Sequence, residues 1–399
     1  MAVSDSVTGA FATIDRRRYD LDWLRAIAFG LLIFYHIGMF YVSWDWHVKS
    51  VYAGLAAEPL MRIVNPWRLA LLFYISGVAV RFSTDKLPSR SQFASSRLLR
   101  LGLPILAGMA FFVSPQAYFE LRQAQLIEPG YFPFYLNYLD FNQLYPIITP
   151  TWNHLWYIVY LLVYILLITP FLPMLRSLAE GHVAKALNWI AGGPVRLILF
   201  VPIPFIIYEL WLSPQFPTTH NLVYDWANHA HRFSIFLLGY FTAKHIRFWD
   251  SVDRTLPLAA GIIIGVLALP LVNIPGLADI PFLGAVVGVL YAWSFIVLLM
   301  AMAQRYLNRP SAALRYVTGA VFCFYILHQT IIIIVGYYLT QLNLGVWPEF
   351  LVLTVSTIAG CIAGYETARR IPFVRIMFGI KTNSGKAQSP CKTSNALLG

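Results

Sequence analysis

Hydrophobic and polar positions divide the chain into long apolar runs separated by short polar connections, many of them basic. A helix needs about 20 predominantly apolar residues to cross a hydrocarbon core. Runs of that size lie near 21–43, 60–82, 100–118, 152–173, 194–212, 231–248, 257–273, 281–303, 317–340 and 348–368. The pattern predicts an all-α integral membrane protein with ten transmembrane helices. Pro202 and Pro204 interrupt the fifth run, and Pro270 closes the seventh. The first run is too long for a signal-peptide core, so residues 1–18 read as a cytoplasmic segment leading into an uncleaved signal-anchor helix. Residues 380–399 carry Gly, Ser, Lys, Asn and Pro without periodicity and read as a disordered cytoplasmic tail. Residues 19–379 are left as one polytopic membrane domain, with no visible internal repeat.

Charge adds an orientation. If the N-terminus is cytoplasmic, all of the 29 Lys and Arg lie on the cytoplasmic side except Lys49, Arg62, Arg68, Arg122 and Arg232. This asymmetry predicts an even number of helices and two cytoplasmic termini, since one missed helix would scramble it. Only 12% of the residues are charged, against roughly 25% in a soluble domain. The net charge of +11 therefore reports membrane orientation and not a nucleic-acid partner. Cys323, Cys361 and Cys391 are too few for a disulfide framework. No zinc-type Cys/His spacing, Gly-rich phosphate loop or Gly-x-Ser-x-Gly elbow occurs. The longest outside loop, 119–150, is dense in aromatics (Tyr131, Phe132, Phe134, Tyr135, Tyr138). Either these form an interfacial belt, or they offer flat faces and hydroxyls to sugar rings.

The candidate chemistry begins in the first run. Arg25 and His36 are eleven residues apart, which on an α-helix is about 20° in azimuth and about 16 Å along the axis. One helix face thus carries a guanidinium near one membrane surface and an imidazole near mid-bilayer. Either Arg25 snorkels and His36 bonds to a neighbouring helix, or both face a functional cavity. Arg97 and Arg100, at i and i+3, open the third helix at the cytoplasmic mouth. They are positive-inside anchors, or a fork of guanidiniums gripping the phosphates of a nucleotide-bearing co-substrate, with Arg25 at the same level. Asp22, one turn before Arg25, would orient it. Arg68 lies too deep in the second helix for easy snorkelling and calls for an interior partner or an anionic ligand. Ser76 and Gly77 read as a close-packing patch. His154 starts the fourth helix and His328 lies within the ninth; each is a structural histidine or a contact for substrate or oxyanion.

The order Asp22-x-x-Arg25 with His36, then Phe73-Tyr74-Ile75-Ser76-Gly77, then Arg97-x-x-Arg100 resembles the membrane-bound acyltransferase-3 family over almost the whole chain. Ser43-Trp44-Asp45-Trp46-His47-Val48, Asn153-His154-Leu155-Trp156, Tyr325-Ile326-Leu327-His328 and Tyr365-Glu366 make it most similar to the branch that succinylates osmoregulated periplasmic glucans. The resemblance implies a multi-pass protein of the bacterial inner membrane. Its co-substrate would be cytoplasmic acyl-coenzyme A, its acceptor a glycan hydroxyl on the far side, and no cofactor would be permanently bound. It also implies that Arg25 and His36 belong to the active site, and it favours succinyl over acetyl. The family's O-acetylating branch carries Trp-Ser-Leu-x-x-Glu where Trp152 is here followed by Asn153 and His154, so that acid's role does not transfer.

The chemistry is consistent with the residues. Transfer from a thioester to a hydroxyl needs a base and stabilisation of an oxyanion. A neutral His36 suits the first, and Arg68 or His328 the second. A transporter or flippase for an organic acid or glycan intermediate is the competing class, with the charged residues lining a path.

Overall fold

The computed structural model describes residues 18–86, 89–141, 144–272 and 280–380. The segment 1–18 (apart from Arg18) and the tail 380–399 (apart from Ile380) lie outside the described residues. Within them the chain is helical and contains no β-strand. The long helices are α1 (Tyr19–Tyr41), α2 (Glu58–Thr84), α3 (Arg90–Gln123), α4 (Asn153–Glu180) and α5 (Pro194–Trp211). They continue as α6 (Trp226–Thr242), α7 (Ile246–Val272), α8 (Pro281–Tyr306), α9 (Ala312–Leu339) and α10 (Val346–Ala368).

Among the described residues, nine helices are long and apolar enough to cross a membrane. The remaining one is α6, of 17 residues. It begins at Trp226 and not near 231, and its first turns hold Asn228, His229, His231 and Arg232, which shorten the apolar part. It also ends earlier than the 231–248 run. The chain turns after Thr242, whose carbonyl accepts from His245 N (3.1 Å) and from Trp249 Nε1 (2.9 Å), and α7 starts at Ile246.

Helix packing explains two sequence features. α2 and α6 pack along much of their length. A side chain at Gly77 would strike the Phe236 carbonyl, and one at Gly239 the Tyr74 backbone, so each glycine admits the other helix's backbone. Tyr74 and Thr242 close the contact with a 2.7 Å hydroxyl pair. Such small-residue contacts stand in for the hydrophobic drive that lipid does not supply. α9 is the most deeply buried span, packed on α1, α3 and α10.

The ends are tied separately. At one end Asp85, just past α2, pairs with Arg81 (2.7 Å), with Arg176 of α4 (3.5 Å) and with Lys244 after α6. Burial alone would raise the Asp85 pKa, but the Lys244 hydrogen bond and the charges of Arg81 and Arg176 hold it below the usual carboxylate value. At the opposite end the α1–α2 connection is fastened by Ser50 Oγ donating to Glu349 (2.5 Å) and by Gln123 receiving Lys49 N (2.7 Å).

Candidate active site

α1 runs unbroken from Tyr19 to Tyr41, so the Arg25–His36 face exists as one rigid edge. Asp22 sits in its first turn beside Asp20, which Arg18 holds at 2.6 Å. The start of α3 lies beside the Arg25 level. Arg97 and Arg100 lie within electrostatic reach of Arg25 and of one another. Arg97 stacks its guanidinium 5.1 Å from the Phe93 ring, and its Nε is buried without a partner. Arg100 lies in a π-helical stretch, Leu98–Gly102, and a second one spans Gly108–Val113. Each precedes a proline, Pro104 and Pro115. A proline inside a helix lacks the N–H for the carbonyl four residues back and crowds it, so the helix widens locally. The carbonyl freed by Pro104 is that of Arg100, and Gly379, at φ +59°, approaches it closely.

Beside the stretch of α1 between Arg25 and His36 lies an apolar cleft of about 170 Å³, lined in part by the exposed Phe34 and by Ile358 of α10. Ala26, Phe29, Gly30 and Ile33 of α1 face Val321, Phe324 and Tyr325 of α9 across it. A Cβ at Gly30 would meet nothing within 4 Å, so glycine there leaves the cleft wide.

His36 of α1 and His328 of α9 meet, with Nδ1 of His36 2.7 Å from Nε2 of His328. The rings are parallel to within 2°, with centroids 5.0 Å apart. Two imidazoles lying in one plane, nitrogen to nitrogen, have this spacing, so the contact is an in-plane hydrogen bond. His328 Nδ1 donates to the Phe324 carbonyl at 3.1 Å. Trp46, in the α1–α2 connection, covers His36 from the far side at 6.4 Å, and the neighbouring His47 pairs with Glu120 of α3.

His154 is used differently. Its Nε2 donates to the carbonyls of Tyr325 (3.0 Å) and Ile326 (3.2 Å), and its Nδ1 accepts from Gln116 (3.3 Å). Tyr325 returns a hydrogen bond to the His154 carbonyl. With both nitrogens engaged, His154 clamps the start of α4 onto α9, edge-on to His328 at 5.3 Å. Gln116 also holds Thr330 (2.8 Å), Gln329 (3.1 Å) and Asn153 (3.1 Å). In the sequence this network shows only as polar residues beside His328 inside an apolar run.

Arg68 is 7% exposed. Its guanidinium lies 3.4 Å over the Tyr35 ring, and Nη1 donates to the side chain and backbone carbonyl of Asn65. Its Nε has no partner, and no carboxylate pairs with it among the described residues. The Tyr35 ring is 6.1 Å from that of His36, so Arg68 sits one aromatic ring away from the histidine pair.

The acyltransferase domain of the acyltransferase-3 family matches residues 18–366. This chain belongs to that family. It is therefore a multi-pass membrane acyltransferase. Among its relatives are the proteins called glucans biosynthesis protein C of Escherichia coli K12 and of Escherichia coli O139:H28 (strain E24377A). Each is 24% identical over 383 residues, spanning 92% of this chain and 95% of the relative. No solved structure matches it.

Proposed function

We propose that this acyltransferase takes its acyl group from acyl-coenzyme A at the cytoplasmic face of the inner membrane and delivers it to a hydroxyl of a periplasmic or envelope glycan. The glycan part of the reading is supported by the likeness to glucans biosynthesis protein C. The observation that carries the reading is the placement of Arg25 and His36 on one face of a single helix, with Arg97 and Arg100 close enough to act on the first electrostatically and His328 bonded to the second.

The arginines hold the donor's phosphates, for which guanidiniums provide paired charge-assisted hydrogen bonds. The thin pantetheine arm spans from the arginines toward His36, so no highly charged group enters the membrane interior. At the end of that arm, His36 Nε2 takes the proton from the acceptor hydroxyl while the hydroxyl oxygen bonds to the thioester carbonyl carbon. Collapse of the tetrahedral adduct breaks the carbon–sulfur bond, and the departing thiolate recovers the proton from His36. The acyl group is succinyl in preference to acetyl. Arg68 supports this, because a buried guanidinium without an acid is costly and a dicarboxylic acyl group would bring it a carboxylate.

The test incubates membranes with radiolabelled succinyl-coenzyme A and periplasmic glucans. Label is expected in glucan with the wild type. With His36→Gln, which cannot accept the proton at neutral pH, transfer is expected to fall by about 10²–10⁴-fold, the usual contribution of a general base. Unmodified solute crossing the membrane with no label in glucan would instead identify a carrier.

A further inference from the structure

The geometry points to His328 as the residue that positions the base: it fixes which nitrogen of His36 carries the proton and holds the ring in its reacting orientation. The inference rests on reading His36 as the base, and it adds a second histidine to the machinery.

The argument starts from an atom that can only accept. The Phe324 carbonyl has no proton, so His328 Nδ1, 3.1 Å away, must be the donor. A neutral imidazole has one N–H and one lone pair, which leaves His328 Nε2 as an acceptor. The short in-plane contact to His36 Nδ1, at 2.7 Å, therefore takes its proton from His36. His36 Nε2 is then the nitrogen with the lone pair, and it has no protein partner among the described residues. A second proton on His328 would reverse the order. No carboxylate lies against His328 among the described residues to favour that charge, and the ring is fully buried.

The same chain serves the reaction. When His36 Nε2 takes the acceptor's proton, the positive charge spreads to Nδ1–H, which already points at the His328 lone pair. No bond of His328 is made or broken. Other contacts oppose a swing of the pair: Trp46 covers His36, and His154, clamped by α9 carbonyls and Gln116, stands edge-on to His328.

The test compares His328→Phe, which keeps ring volume but offers no acceptor, with His328→Gln, which keeps an acceptor and a donor. Donor binding and turnover are measured separately in purified, folded protein with succinyl-coenzyme A. Phe is expected to lower kcat by 10²-fold or more, within the range of general-base contributions, with donor KM unchanged, and Gln to recover a substantial part. The double variant His36→Ala/His328→Phe should be no slower than His36→Ala, because residues acting as one unit are not additive. Wild-type kcat in His328→Phe would overturn the inference, and so would equal losses in Phe and Gln or an additive double variant. If His36→Gln is itself active, the base assignment falls instead, and the two failures are told apart.

Discussion

At the level of single residues, the proposed preference for succinyl over acetyl is tested most sharply at Arg68. Its guanidinium is buried, held by Asn65 and stacked on Tyr35, and no carboxylate pairs with it among the described residues. Arg68→Met keeps much of the volume and removes the charge. If a carboxylate of the acyl group normally meets Arg68, the loss is a charged hydrogen bond worth roughly 1.5–3 kcal/mol, or about 10- to 150-fold. That loss is expected in succinyl transfer only, with acetyl transfer changed little. The measurement is the ratio of kcat/KM for succinyl- and acetyl-coenzyme A. Equal falls for both donors would make Arg68 an oxyanion contact or a packing residue. The sequence disclosed Arg68 as an ionisable residue too deep to snorkel, and Arg25 with His36 through a simple helical repeat. It did not disclose that His328 would meet His36, because the partners are 292 positions apart and nothing local encodes the contact. The sequence left His328 open as a structural histidine or as a contact for substrate or oxyanion. Its two ring nitrogens turn out to be engaged by His36 and the Phe324 carbonyl.

At the level of elements, apolar run length located the helices well, since lipid demands about 20 apolar residues wherever a helix crosses. It placed α6 too far along the chain, because the first turns of that helix are polar, and it gave no hint of the π-helical stretches in α3. Those stretches bear on the proposed donor contacts. The i, i+3 spacing puts Arg97 and Arg100 on one face of an ordinary helix, yet Arg100 sits within a widened turn that precedes Pro104. Both guanidiniums nevertheless act electrostatically with Arg25. Replacing both with Ala leaves the prolines, and hence the turn, in place. Donor affinity should fall by 10²-fold or more, on the basis of roughly 1.5–3 kcal/mol for each lost bond to a charged group. Equilibrium binding of acyl-coenzyme A to the purified double variant checks this. Unchanged affinity would reduce the two arginines to membrane anchors.

For the whole molecule, the ion pairs at the helix ends bear on topology. Asp85, Arg176 and Lys244 join the ends of α2, α4 and α6 at one pole, where Arg305 also pairs with Asp253 at the α7–α8 end (2.5 Å). His47 with Glu120, Ser50 with Glu349 and Trp152 Nε1 with the His220 carbonyl gather at the other pole. Successive helices therefore alternate in direction, and α6, though short, completes one such reversal. The pole carrying Arg81, Arg90, Arg97, Arg100, Arg176 and Lys244 is far more basic than the pole carrying Lys49 and Arg122. Basic connections stay in the cytoplasm, so the Arg25 end should face inward and the 119–150 loop outward. The check is cysteine labelling of whole cells with an impermeant reagent, in a background lacking the native cysteines, of which Cys323 and Cys361 are buried in any case. Gln125→Cys is expected to label in cells whose inner membrane is intact. Ser89→Cys is expected to label only after that membrane is breached. The opposite result would turn the molecule over, placing the arginine cluster outside, away from cytoplasmic acyl-coenzyme A, and the cross-membrane reading would fall with it.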